Sequence, residues 1–295
     1  MTAALYLGIE TGGTKTVARL VRSDGTTVAQ ARWTTTTPEA ACEDITSFVR
    51  SHASYGVLAG AGMAAFGPII VDPDADTGRV LATPKPGWTG SNLRRDLSER
   101  LGIHVAVDTD VNAAAIAEQA IGAGRGCASL AYLTIGTGIG AGLALRGTSL
   151  RGALHPELGH IRLVRANDDL FASTCPYHAD CAEGLAAGPA VQRRLEGSTL
   201  DERPEIRDLV AGYLGQLVAA TILAWSPHRI VIGGGVGSAP RLIDAIALAY
   251  PDTLGGYGVG AHAMTPGFLV PAALADAGLE GALLMAGVSH KDGHK

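Results

Sequence analysis

Between His155 and Glu183 the chain concentrates residue types that bind metals and move protons. His155-Pro-Glu-Leu-Gly-His160 is followed by Cys175-Pro-Tyr-His178-Ala-Asp-Cys181-Ala-Glu183. Cys175, His178 and Cys181 are each separated by two residues, and His160 is the nearest fourth ligand upstream. Two thiolates and two imidazoles suit tetrahedral zinc. The spacing is not one of the common zinc-finger signatures, so plain loop residues are the competing reading. Glu157 and Glu183 flank the set as candidate hydrogen-bond acceptors for a polar ligand, a role that depends on the metal-held fold because most glutamates are only solvated surface.

A second group of residues speaks of phosphate. Gly12-Gly13-Thr14-Lys15, Gly136-Thr137-Gly138 and Gly233-Gly234-Gly235 each follow an apolar run. Without Cβ atoms such turns can aim consecutive N–H groups at an anion. Neither the Walker spacing nor a Rossmann fingerprint is present. One glycine turn alone is usually a hairpin, but three after strands argue for a nucleoside triphosphate. Asp110 is the candidate base: it stands where a strand gives way to a helix, with Asp108 near enough to raise its proton affinity. The bland alternative is that Asp110 caps that helix. Glu10, beside the first loop, either reaches Mg²⁺ through water, positions Lys15, or is an ordinary strand-end acid.

The elements that must position these groups follow from periodicity. Strands are expected from Leu5 to Glu10, through Val21, and to about Thr34, with a turn at Asp24-Gly25. A helix over 39–53 has Ala41, Ile45, Phe48 and Val49 on one face. Further segments are a strand from Val57 to Phe66, a helix from Leu93 to Leu101, a strand from Val105, and a helix from Asp110 to about Ile121. Tyr6-Leu-Gly-Ile-Glu-Thr-Gly12 then aligns without gaps on Tyr132-Leu-Thr-Ile-Gly-Thr-Gly138. The repeat predicts a chain that begins again, as two mixed α/β halves facing a cleft.

Composition narrows the class. The 295 residues carry a formal charge of −5, so nothing electrostatic calls for nucleic acid. Four cysteines and an N-terminus that enters a strand without a charged and apolar leader point to a cytoplasmic protein. No apolar run is expected to reach the ~18 residues of a membrane span. The 40 glycines cluster in loops rather than in a low-complexity linker.

In order and over nearly the whole chain, Glu10-Thr-Gly-Gly-Thr-Lys15, Asp108-Thr-Asp-Val-Asn112, Gly136-Thr-Gly-Ile-Gly140, the His155 and Cys175 segments and Gly233-Gly-Gly235 resemble the ROK family of bacterial sugar kinases. Cys-Pro-Tyr-His, where many relatives have Gly-Cys-x-Cys-Gly, and Thr83-Pro-Lys-Pro-Gly-Trp88 are similar to its fructokinase branch. The resemblance implies an actin-like, ribonuclease H-like duplicated α/β fold with an interdomain cleft. It implies a small N-terminal domain over 1–112, a large one over 113–279 with the zinc segment 155–183, and a helix at about 280–295 packing back on the first. ATP, Mg²⁺ and structural zinc at His160, Cys175, His178 and Cys181 are implied with it, as is a homodimer. Asp110 becomes the base, and Thr109, Asp110, Glu157 and Glu183 line the sugar. Two departures stand out: Ala179 replaces a glycine, and Thr109 replaces the asparagine of glucose-directed relatives, which removes a sugar contact.

The expected reaction is transfer of the γ-phosphoryl of ATP to the C6 hydroxyl of D-fructose, with lobe closure excluding water. Mannose, glucose or N-acetylmannosamine are the alternative hexoses. A non-catalytic sugar-binding regulator is the reading from another class; regulators of this family carry a DNA-binding segment ahead of the core, whereas the first core strand here is expected at Leu5.

Overall fold

The computed structural model describes residues 3–72 and 76–289. In chain order the strands and α-helices are β1 (Ala4–Thr11), β2 (Lys15–Arg22), β3 (Thr27–Thr34), α1 (Pro38–Ser51), β4 (Val57–Ala65), α2 (Leu93–Leu101), β5 (Val105–Thr109) and α3 (Asp110–Ala120). Then come β6 (Ser129–Ile135), β7 (Ile139–Leu145), β8 (Thr148–Ser149), α4 (Ala182–Ala186), α5 (Gly188–Leu195), α6 (Pro204–Trp225), β9 (Arg229–Gly233), α7 (Leu242–Leu254), β10 (Leu269–Pro271) and α8 (Ala277–Met285). They form two compact units, one of residues 1–117, 149–155 and 275–295, the other of 118–148 and 156–274. The first unit therefore runs past Asn112 to Ala117, and it also takes in the short return Ser149–His155.

In the first unit the sheet order is β3-β2-β1-β4-β5. β1, β2 and β3 pair antiparallel, while β4 and β5 join β1 in parallel. Leu7, Ile9, Leu20, Met63 and Val105 point into a core closed by Ile45 and Phe48 of α1 and Leu97 of α2. Thr37 caps α1 by accepting the Ala40 N–H at 3.2 Å, and Asn92 caps α2 by accepting the Arg95 N–H at 3.0 Å. Against the sheet lies α8, and small residues let it come close: a Cβ on Gly62 would stand 2.1 Å from the Ala282 carbonyl oxygen. A Cβ on Gly281 would stand 2.0 Å from that of Ala113, so α8 also meets α3 backbone to backbone. The C-terminal helix expected at 280–295 thus begins at Ala277 and ends at Met285; residues 290–295 lie outside the described residues.

The second unit repeats that plan. Its sheet order, β10-β9-β6-β7-β8, is that of the first with every strand number advanced by five and read from the opposite edge. β6 and β7 pair antiparallel, and β9 and β10 are parallel additions. The alignment of Tyr6–Gly12 on Tyr132–Gly138 superposes β1 on β6, so the internal repeat is structural. The fold is the actin-like, ribonuclease H-like duplicated α/β architecture. Leu133, Ile135, Ile230 and Ile232 are covered by Leu214, Leu217 and Val218 of α6 and by Leu242 and Ile246 of α7.

One correction concerns α6. Its 22 residues are long and apolar enough, by length and composition, to cross a membrane, which the interruptions seen in the sequence did not suggest. Over half (56%) of that apolar window is buried inside the protein, as befits a core helix.

Candidate active site and metal centre

Parallel pairing puts the chemistry of the first unit on one sheet edge. Thr11 of β1 stands opposite Ala65 of β4, and Ala65 opposite Thr109 of β5. Two interstrand spacings separate Thr11 from Thr109, roughly 10 Å. The loop Gly12–Lys15 and Asp110 therefore leave the same carboxyl edge, the usual ligand edge of such sheets. The loop closes on itself through Gly12 N–H to the Lys15 carbonyl at 2.8 Å and is tied to the end of β3 by Thr35 N–H to the Thr14 carbonyl at 2.9 Å.

Asp110 opens α3, but the capping work falls to its neighbour. The Thr109 hydroxyl accepts the Asn112 N–H at 3.2 Å, and Thr109 is 1% exposed. The Thr109 hydroxyl thus serves the helix, facing its first turn from a buried strand end. Asp110 shares in that helix end, since its Oδ1 accepts the Val111 N–H at 2.9 Å.

Asp108 is buried and fully engaged. Oδ1 accepts from Thr109 N–H and Asn112 Nδ2, both at 2.8 Å, while Oδ2 accepts the Ser149 hydroxyl at 2.5 Å and Arg151 Nη2 at 2.8 Å. With Arg151 paired to it, Asp108 is not the bare anion expected beside Asp110. It binds the return segment Ser149–His155 to β5, and His155 there accepts the Ile69 N–H at 3.1 Å. Glu10 lies within β1 and turns toward α8, where a Cβ on Gly278 would stand 3.2 Å from its carboxyl carbon. Burial pushes its carboxyl above the usual range, against the pull of Lys15.

In the second unit, β6 and β9 are parallel neighbours, so Gly136–Gly138 and Gly233–Gly235 emerge side by side. The Val236 and Gly237 N–H groups both reach the Ile135 carbonyl, at 2.9 and 3.0 Å. At Gly234 φ is +84°, a turn open to glycine, and an added Cβ there would meet the Ile135 carbonyl oxygen at 2.4 Å.

His160, Cys175, His178 and Cys181 come together, each offering one ligand atom, all within 4.8 Å of one another. Cys175 Sγ is 3.7 Å from both His160 Nδ1 and His178 Nδ1, and Cys181 Sγ is 3.8 Å from His160 Nδ1. A tetrahedral zinc with ordinary bond lengths separates its sulfur and nitrogen ligands by roughly 3.6 Å. The donor set fits the ion in both chemistry and spacing. Cys181 is fully buried and precedes α4, where its Sγ also accepts the Gly184 N–H at 3.4 Å. Arg194 holds this segment to the helices: it makes two bonds to Asp169, at 3.0 and 2.7 Å, and its guanidinium lies 4.0 Å over Phe171. That pairing keeps the Asp169 carboxyl well below the usual range.

The two glutamates flank this centre. Glu183 Oε2 accepts the Ile139 N–H at 3.1 Å, so it touches the second glycine loop, and Oε1 is 3.9 Å from His160 Nε2. At that distance the carboxylate lies near the second ring nitrogen without a hydrogen bond to it. Glu157 is exposed as a residue, yet its carboxyl is set among protein atoms near Glu183, and that burial with the adjoining charge pushes it up to about 7. A carboxyl raised in the folded state holds its proton longer there than in the unfolded chain. Folding is therefore penalised progressively as pH rises from about 4.5 to about 7. Glu157→Gln is expected to gain in Tm relative to the parent across that window, modestly because the residue keeps solvent contact. A Tm difference that stays flat with pH would return Glu157 to the ordinary range.

Sequence reasoning assigned no task to Lys85, although it noted the segment that carries it. Its Nζ donates to the Gly13 carbonyl at 2.6 Å and to the Thr35 carbonyl at 2.7 Å, at the base of the first glycine loop. The signal was the clustering of turn residues in Thr83-Pro-Lys-Pro-Gly-Trp88.

Comparison with known proteins gives the same picture. The family model described as "ROK family" matches residues 6–288. A fructokinase from Zymomonas mobilis subsp. mobilis is 36% identical, over 87% of this chain and 88% of that protein. Among solved structures, a ROK hexokinase from Thermus thermophilus superposes with a TM-score of 0.75 at 32% identity, over 96% of this chain and 97% of that one. A ROK family glucokinase from Streptomyces griseus, in complex with glucose and AMPPNP, has a TM-score of 0.75 at 26% identity, over 97% of this chain and all of the other.

Proposed function

Because this chain belongs to the ROK family and, like its kinase relatives, phosphorylates a hexose with ATP, we propose that its substrate is D-fructose and the acceptor its C6 hydroxyl. The observation that supports this most is alignment with fructokinases over most of their length. Glucokinase relatives align at 30% identity over 68% of the chain, or at 27% over 81%.

In this reading Asp110 accepts the proton of the C6 hydroxyl as the oxygen attacks the γ-phosphorus of ATP and the bond to the β-phosphate oxygen breaks. Most of the rate comes from positioning, since the transferred group needs little covalent help. The N–H groups of Gly13 and Thr14 draw charge off the phosphoryl oxygens. Gly136–Gly138 and Gly233–Gly235 hold the nucleotide, and Glu157 and Glu183 accept sugar hydroxyls. Magnesium entering with ATP would neutralise phosphate charge. Glu10, turned toward α8, would reach it through water. Zinc would be held by His160, Cys175, His178 and Cys181, where four protein ligands fill its coordination and brace the loop carrying Glu183.

A coupled assay with Mg·ATP over fructose, mannose, glucose and N-acetylmannosamine tests the choice of sugar. Fructose is expected to lead in kcat/KM by about tenfold or more, the discrimination that a few hydroxyl contacts supply. Absence of fructose turnover, or a higher value for another hexose, would reassign the substrate.

A further inference from the structure

We propose that Lys85 is a positioning residue of the phosphate loop Gly12–Lys15, and that its ammonium also meets the terminal phosphoryl group of the bound nucleotide. The inference deepens the reading of Gly12–Lys15 as a phosphate loop and rests on it.

The geometry starts from the peptide plane. Because the unit is planar and trans, a carbonyl and the next N–H point to opposite sides. By holding the Gly13 carbonyl at 2.6 Å, Lys85 turns the Thr14 N–H to the side away from its own ammonium, so the two would meet different phosphoryl oxygens. Gly13 has open space around it, with nothing within 4 Å of an added Cβ, so packing alone would not select that orientation. The second bond, to the Thr35 carbonyl at 2.7 Å, joins the loop to the end of β3, where Thr35 N–H already holds the Thr14 carbonyl.

An ammonium has three donors, and these bonds use two. Among the described residues Lys85 makes no ion pair with a carboxylate, so a part-buried cation stands at a candidate anion site with its charge unneutralised. Its placement is firm. Trp88 is 1% exposed, its Nε1 donates to the Thr36 carbonyl at 2.8 Å, and its ring meets Phe66 edge-on at 4.9 Å. Pro84 and Pro86 flank the lysine and restrict the backbone on either side. A buried tryptophan thus roots a stiff turn whose lysine reaches the loop.

The test compares Mg·AMPPNP with Mg·ADP, because only the former presents a terminal phosphoryl group. In calorimetric titrations without sugar, Lys85→Met is expected to weaken AMPPNP by about tenfold or more and ADP by less than about threefold, the difference a charge-assisted contact supplies. Hexose affinity should stay within about twofold, and Lys85→Arg should recover part of the AMPPNP affinity while its different reach leaves kcat lowered. Equal weakening of AMPPNP and ADP, or of neither, would overturn the phosphoryl contact. A Lys85→Met protein that melts about 10 °C lower and loses hexose and nucleotide together would make Lys85 a structural clasp. If the parent turns over no hexose, the choice of reaction fails, yet the AMPPNP to ADP comparison still decides the role of Lys85.

Discussion

Asp110→Asn is expected to lower kcat by about 10³-fold, within the range general-base removal typically produces, while hexose binding measured by calorimetry stays within about threefold because the amide keeps the shape and hydrogen-bonding reach of the carboxylate. The structure supplies the reason to single out this residue. Thr109 caps α3 and Arg151 neutralises Asp108, which leaves Asp110 as the carboxylate proposed for proton transfer at this edge, besides the Val111 N–H it accepts. Asp110 leaves β5 in register with the strand end that carries Gly12. A variant whose turnover stays within about tenfold of the parent would remove Asp110 from proton transfer.

The second large effect is expected from zinc. Elemental analysis should find one zinc per chain, and stripping it with a strong chelator should lower Tm and raise the KM for hexose by about tenfold or more, since the binding free energy of a structural metal is spent on ordering its loop. Readdition of zinc should restore both. Cys181→Ser makes the same test without a chelator: Cys181 is both a candidate ligand and the residue whose sulfur caps α4, two positions before Glu183. Unchanged hexose KM in metal-free protein would separate the four ligands from sugar binding. A metal-free protein with normal KM but low kcat would point instead to zinc in the chemical step.

Much of the fold was legible because the first half is built from short, clearly punctuated elements. The helix with Ala41, Ile45 and Phe48 on one face, and the strand ending before Phe66, stand within two residues of their expected bounds. The repeat of Tyr6–Gly12 at Tyr132–Gly138 was visible because hairpin and turn are local, and strand pairing then carried it through both sheets. The apolar helix α6 was harder. Its glycines and charges interrupt the run in sequence, yet they lie on a helix mostly packed in the core, where burial comes from neighbours distant in the chain.

The candidate site divides in the same way. Cys175, His178 and Cys181 were recognisable because ligand chemistry and short spacing are written in adjacent residues. His160 could be ranked only as the nearest upstream candidate; folding puts its Nδ1 within 4 Å of both sulfurs. Lys85 had no role in the sequence because its partners lie 72 and 50 positions away. The partners of Asp108 and Thr109 were hidden for the same reason: a carboxylate or hydroxyl has no assigned partner until folding brings one within hydrogen-bond distance.

By itself, then, the sequence determined the residue types available for chemistry, the local turns and ligand spacings, and the duplication. These depend on neighbours a few positions apart. Only the tertiary structure decided which carboxylates are spent on arginine and helix ends, and which cation meets the first glycine loop. Hydrogen bonds and burial are properties of distance in space, and parallel strand pairing is what turns remote positions such as Thr11 and Thr109 into neighbours on one edge.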